Sequence, residues 1–117
     1  MGIPLFDGLA GVNRVRLARA SLAESRLRLE QTRRETATER ARAMLAASSA
    51  EEEYATAKRR LEAEEEAYRM TSRRYELGSA SAVELHTSGA RLATARATLE
   101  GKRIQKIINS IVLDYYN

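Results

Sequence analysis

The sequence predicts an all-α fold, a long antiparallel helical hairpin of coiled-coil character. Three observations predict it. The 117 residues include 20 Lys plus Arg and 16 Asp plus Glu but only 5% aromatic residues, the composition of long helices. From about Gly8 to Leu77 there is no Pro, and Gly11 is the only internal Gly. A helix-stopping Gly78 is followed almost at once by a helix-starting motif, Ser81-Ala82-Val83-Glu84.

Residues 1–8 are expected to form the end of a strand and a helix cap. Ile3-Pro4-Leu5-Phe6 is apolar, and Pro4 confines it to an edge position. Asp7 is suited to capping the helix that follows. Residues 9–77 are expected to be one long helix. A stretch of ~65 residues at 1.5 Å per residue extends roughly 100 Å, so it must lie against something else along its length. Arg73 and Arg74 stand in its last turn, where positive charge complements the helix dipole.

Residues 78–81 are the expected turn, and 82–117 the returning helix. Gly78 takes a positive φ without steric cost, and Ser81 with Glu84 matches the capping box S-x-x-E. A connection this short makes the helices antiparallel neighbours. Gly89 and Gly101 weaken the second helix by about 1 kcal/mol each relative to Ala, and either position allows close approach of a neighbour.

Heptads set the faces. In the first helix Val15, Leu22, Leu29, Thr36, Ala43, Ala50 and Ala57 form one series, and Tyr54, Leu61, Tyr68 and Tyr75 another. In the second, Leu85, Leu92 and Leu99 repeat at seven, as do Ala90, Ala97, Ile104 and Ile111. The two series of the second helix lie on different sides, since Ala97 and Leu99 are about 200° apart. Two apolar stripes call for neighbours on both sides, as in a sheet or ring of helices, and the period of seven implies a left-handed supercoil. The second helix reaches back only to roughly Arg40. Val12, Val15, Leu22 and Leu29 are then left without a partner in the chain, and the free half is expected to self-associate as a dimer or higher oligomer. Arg19, Arg26, Arg33 and Arg40 also recur every seven residues. They read either as a solvated face or as a surface for an acidic partner or polar channel. Glu51-Glu52-Glu53 and Glu64-Glu65-Glu66 read as solvated, because consecutive helical residues point in different directions.

Chemistry for catalysis is not legible. There is no Cys, which excludes disulfides and thiolate zinc sites. His86 is the single His, and Glu84, two residues away, faces elsewhere. No phosphate-binding glycine loop, nucleophile elbow or carboxylate pair on a credible cleft is present. The chain reads as a non-enzyme with no catalytic residues, cofactor or metal. No apolar run approaches the ~18 residues of a transmembrane helix, and no signal peptide is visible. The net charge of +4 does not by itself indicate nucleic acid, and the five Tyr stand mostly at seam spacing rather than as stacking platforms.

The stretch Arg74-Tyr75-Glu76-Leu77-Gly78-Ser79-Ala80-Ser81-Ala82-Val83-Glu84-Leu85, with Leu92-Ala93-Thr94-Ala95 and Leu99 beyond it, resembles the TolC-type outer-membrane factor family. That family has an R-Y-x-x-G step, small polar residues, an aliphatic-acidic-aliphatic step and an L-x-x-A helix. Upstream, Ile3-Pro4-Leu5-Phe6-Asp7-Gly8 is similar to the family's P-[LI]-[FY]-[DQ]-G-G passage from strand to helix, with Leu9 in place of the second Gly. The resemblance covers nearly the whole chain. It implies a fragment of a periplasmic α-barrel, the second-repeat hairpin of an outer-membrane channel for multidrug efflux or type I secretion. The first repeat, the barrel strands and the signal peptide lie outside it.

The implied partners are two further copies in a trimeric parent, a periplasmic adaptor, and through it an inner-membrane transporter, with no nucleic acid. The implied location of the parent is the outer membrane and periplasm. By position, Tyr75, Gly78, Ser79 and Ser81 fall on the adaptor-docking tip, and Glu84 at the tunnel mouth. Ala80 and Thr87 stand where some members carry an Arg and a second acid, so a salt-bridged gate of that type is not expected. The heptads alone also fit a coiled-coil scaffold without a transport role, and the Arg stripe a nucleic-acid surface with steep salt dependence.

Overall fold

The computed structural model describes residues 3–117, with side chains from Gly8 onward. It contains α1 (Ile3–Glu76, 74 residues) and α2 (Ala82–Tyr116, 35 residues), and no strand among the described residues. The all-α reading therefore holds, and the expected strand end does not. Residues 3–8 are helical, which also leaves Asp7 inside α1 rather than at its cap. Pro4 is compatible with both outcomes, because in the first turn of a helix its missing N–H has no intrahelical acceptor anyway. A strand end needs a neighbouring strand to bond, and none is described here.

The chain divides into two units, Met1–Glu39 and Arg40–Asn117. The second is the hairpin. Contacts between its helices pair Arg74 with Glu84, Tyr68 with Gly89, Glu53 with Lys102, Glu51 with Lys106, and Ala46 with Asn109. One number falls as the other rises, so the helices are antiparallel.

The seam follows the heptads. From α1 it takes Ala43, Ala50 and Ala57, all buried, alternating with the half-buried Tyr54, Leu61 and Tyr68. From α2 it takes Leu85, Leu92 and Leu99, with Ser88 and Ala95 between them. Leu92 is only 7% exposed, and its burial is worth about 1.5–3 kcal/mol. Among the described residues no large side chain is fully buried. Ala and Ser let the helices approach closely but remove little apolar area from water.

Beyond Leu99 the α2 side of the seam turns polar, with Lys102, Lys106 and Asn109 half-buried. Lys102 donates to Glu53 at 2.9 Å, and Lys106 lies 3.9 Å from Glu51 and 4.9 Å from the centroid of the Tyr54 ring. Glu51, Glu52 and Glu53 stay exposed, in line with the solvated reading, and Glu51 and Glu53 in addition reach Lys106 and Lys102 of α2. The second α2 stripe faces away from α1: Ile104 and Ile111 are 57% and 64% exposed, and Ile107, Ile108, Val112 and Tyr115 are exposed beside them.

In the first unit every described residue from Gly8 to Glu39 is exposed, including Val12, Val15, Leu22 and Leu29. Its side chains bond along the helix: Arg28 to Glu24, Arg34 to Glu30 at 2.6 Å, and Gln31 to Glu35 at 3.1 Å.

Candidate functional site

The residues singled out at the tip lie between the last turn of α1 and the first turn of α2. α1 ends because Gly78 adopts φ +76°, the left-handed conformation that closes a helix. The Gly78 amide then donates to the Tyr75 carbonyl at 3.0 Å, and the Ser79 amide to the Arg74 carbonyl at 2.8 Å. This pair of bonds is a Schellman motif, which satisfies carbonyls that the last helical turn would leave open. The Ala80 amide reaches the same Arg74 carbonyl at 3.2 Å.

α2 starts with both arms of the capping box in place. The Glu84 amide donates to Ser81 Oγ at 3.1 Å, and the Ser81 amide donates to Glu84 Oε2 at 3.0 Å. Ser81 has extended backbone, as an N-cap requires.

Arg74 ties the two helix ends together. Its guanidinium donates to the Ser79 carbonyl at 3.2 Å and lies 3.9 Å from Glu84 Oε2, while the Ser79 hydroxyl donates back to the Arg74 carbonyl at 3.1 Å. All these groups are exposed, so each bond competes with water and adds little on its own. Their joint effect is to hold one backbone path between two independently stable caps.

The structure thus brings Tyr75, Gly78, Ser79, Ser81 and Glu84 together in one turn. The hydroxyls of Ser79 and Ser81 and the carboxylate of Glu84 are engaged in the turn itself. Tyr75 is different: it is 45% exposed. Leu77 and Val83, at 77% and 73%, present apolar side chains on either side of Gly78. The tip motif spans these two and Arg74 but gives them no docking role. Leu77 precedes the turn glycine and Val83 stands in the first turn of α2, so both flank the tip. Arg74 carried a sequence signal as a last-turn cation and as the first residue of the R-Y-x-x-G step, and neither foretold its bonds to Ser79 and Glu84.

A shallow groove beside the tip is lined by Arg69, Arg73, Arg96, Glu65 and Glu76 together with Tyr68 and Leu92. The surface offers hydroxyls, mixed charges and exposed apolar side chains, which suit contact with another protein. His86 borders a separate hollow with Tyr68 and Gly89. No group of three His, Cys, Asp or Glu among the described residues could hold a metal ion, and no described helix is long and apolar enough to cross a membrane.

Neither a curated protein nor a solved structure matches the chain. A family model does, described as outer membrane efflux protein, over residues 1–115. A match over almost the whole length, on a chain that folds into the helical hairpin its tip motif called for, shows that the protein belongs to the outer membrane efflux protein family.

Proposed function

We propose that the hairpin is part of the periplasmic tunnel of an outer-membrane channel, with its tip the docking point for a periplasmic adaptor in multidrug efflux or type I secretion. The observation that carries this reading is the family match over residues 1–115. Two features support it. The turn is rigidly bonded at the backbone yet leaves Tyr75, Leu77 and Val83 exposed, as a docking tip requires. α2 also keeps a second apolar stripe, Ala90, Ala97, Ile104 and Ile111, free on the side away from α1, where further helices of a barrel would pack. In this reading the parent is a trimer in the outer membrane and periplasm, and Glu84 lies at the tunnel mouth. An unrelated coiled-coil scaffold accounts for the heptads but leaves the family match without a cause.

The test is export by the intact parent carrying Tyr75→Arg and Ser79→Arg. Neither change removes the backbone bonds of the turn. Export should fall while protein level and trimer content stay constant, and cross-linking to the adaptor should fall with it. Full export with both arginines in place would end the docking role of the tip.

A further inference from the structure

The face that α2 turns toward α1 within the second unit is one continuous series at alternating steps of three and four residues. Its chemistry changes abruptly along the helix. Leu85, Ser88, Leu92, Ala95 and Leu99 hold the positions nearer the turn, and Lys102, Lys106, Asn109 and Leu113 hold the rest. Gly101 stands at the change. Opposite the second group α1 presents Ala43, Ala47 and Ala50, whose small side chains leave little apolar area to bury.

Beyond Gly101 the helices are joined chiefly by charge. Lys102 reaches Glu53, and Lys106 reaches both Glu51 and the Tyr54 ring. Asn109 Nδ2 donates to the Ala46 carbonyl at 3.5 Å, near the limit of a hydrogen bond. The ion pairs are partly solvated, so dissolved salt screens them. Leu113 and Tyr116, at the far end, are the large apolar side chains on this inner face, and both are only half-buried. Nearer the turn the balance is reversed. There the described cross-helix ion pair is Arg74 with Glu84 at 3.9 Å, and the seam rests on the burial of Leu92 and Ala95. Burial of apolar surface is not weakened by salt.

Gly101 marks where these two kinds of seam can part. After Pro, Gly is the least favourable residue for a helix interior, because its backbone has the most freedom to lose. No neighbour accounts for it here: the residue is exposed, and a Cβ built on it would meet nothing within 4 Å. One surface pair spans the position, Arg103 with Glu100 at 3.6 Å.

We propose that residues 102–116 are a strap, hinged at Gly101 and latched to α1 by Lys102 and Lys106, whose closure is set by ionic strength. At low salt the latch is shut and α2 is one straight helix. At high salt the strap leaves α1 while the Leu85–Leu99 seam and the turn stay in place. The outer face of the strap carries the exposed Ile104, Ile108 and Ile111. The latch therefore decides whether that apolar face is held in a fixed direction relative to the hairpin. The strap lies at the end of α2 farthest from the turn, and the inference does not depend on the role proposed for the tip.

The test is hydrogen exchange of the full chain in about 0.1 M and about 1 M NaCl, resolved along α2. Opening of amides 104–114 should rise roughly three- to tenfold with salt, and that of amides 88–99 should change by less than about twofold. Glu51→Gln with Glu53→Gln should open 104–114 already at low salt and abolish the response. Lys102→Gln with Lys106→Gln should do the same from the other side of the seam. Gly101→Ala should reduce opening of 104–114 at both salt concentrations, since it stiffens the hinge and leaves the latch intact. An equal salt response in both stretches, a response that survives both pairs of Gln changes, or opening of 104–114 unaffected by Gly101→Ala would each overturn the proposal.

Discussion

Arg74 and Ser79 bond each other in both directions across the end of α1. The Ser79 amide and hydroxyl both donate to the Arg74 carbonyl, and the Arg74 guanidinium donates to the Ser79 carbonyl. Only one of these three bonds uses the serine side chain. Ser79→Ala should therefore cost no more than about 0.5–1 kcal/mol in urea unfolding, because the group is exposed and the backbone bonds survive. A loss of several kcal/mol would mean that the hydroxyl, and not the backbone, holds the turn.

Gly78 carries the conformational burden instead. At φ +76° a β-branched residue clashes with its own backbone. Gly78→Val should destabilise the hairpin by about 1–3 kcal/mol, whereas Gly78→Asn should cost less, since Asn tolerates this region. No atom outside the turn lies within 4 Å of a Cβ built there, so the cost is backbone strain and not crowding. Equal melting of the Val and Asn variants would contradict this.

The capping box separates the two jobs of Glu84. Ser81→Ala should lower stability by about 1 kcal/mol and Ser81→Asp should largely preserve it, as both Ser and Asp cap well. Glu84→Gln keeps the reciprocal bond to the Ser81 amide but removes the charge. In the intact parent it should leave melting nearly unchanged and alter passage of charged substrates, if Glu84 lies at the tunnel mouth. Unchanged passage, measured alongside unchanged melting, would leave Glu84 as a cap and nothing more.

Gly89 and Gly101 differ in their surroundings. A Cβ at Gly89 would meet Tyr68 Cε2 at 3.5 Å, an ordinary contact, and one at Gly101 would meet nothing. Both Ala variants should stabilise α2 by up to about 1 kcal/mol, Gly101→Ala with no change in packing. Destabilisation by Gly89→Ala would show that the helices are closer at Tyr68 than this geometry allows.

Protection against hydrogen exchange should be graded along α2. Amides over 88–99, behind the Leu92 and Ala95 seam, should exchange slowest. Those beyond Lys102 should open sooner, because that part of the seam rests on partly solvated ion pairs, one cation–π contact and a long hydrogen bond from Asn109 to the Ala46 carbonyl. Uniform protection from 88 to 112 would indicate that something covers the Ile104–Ile111 stripe in solution.

Much of this was legible in the amino-acid sequence because it is local. The helix stop at Gly78, the start at Ser81 and the helical character on either side of them depend on residues within about five positions of each other. The residues of the tip were legible for the same reason: a turn motif is contiguous. The N-terminal strand end was misread because Pro4 permits either state, and a strand is decided by a partner that local sequence does not contain.

Tertiary structure alone decided which of the two α2 stripes meets α1. Leu85-Leu92-Leu99 and Ala90-Ala97-Ile104-Ile111 both repeat at seven, and periodicity cannot rank them. The antiparallel path from the Gly78 turn, together with the fit of Leu92 against Ala-rich α1, buries the first and leaves the second in water. It also turned Glu51 and Glu53 from members of an acidic run into partners of Lys106 and Lys102, residues about fifty positions away. Such pairings depend on the relative rotation of two helices, a quantity set by packing across the seam and not by any stretch of sequence within either helix.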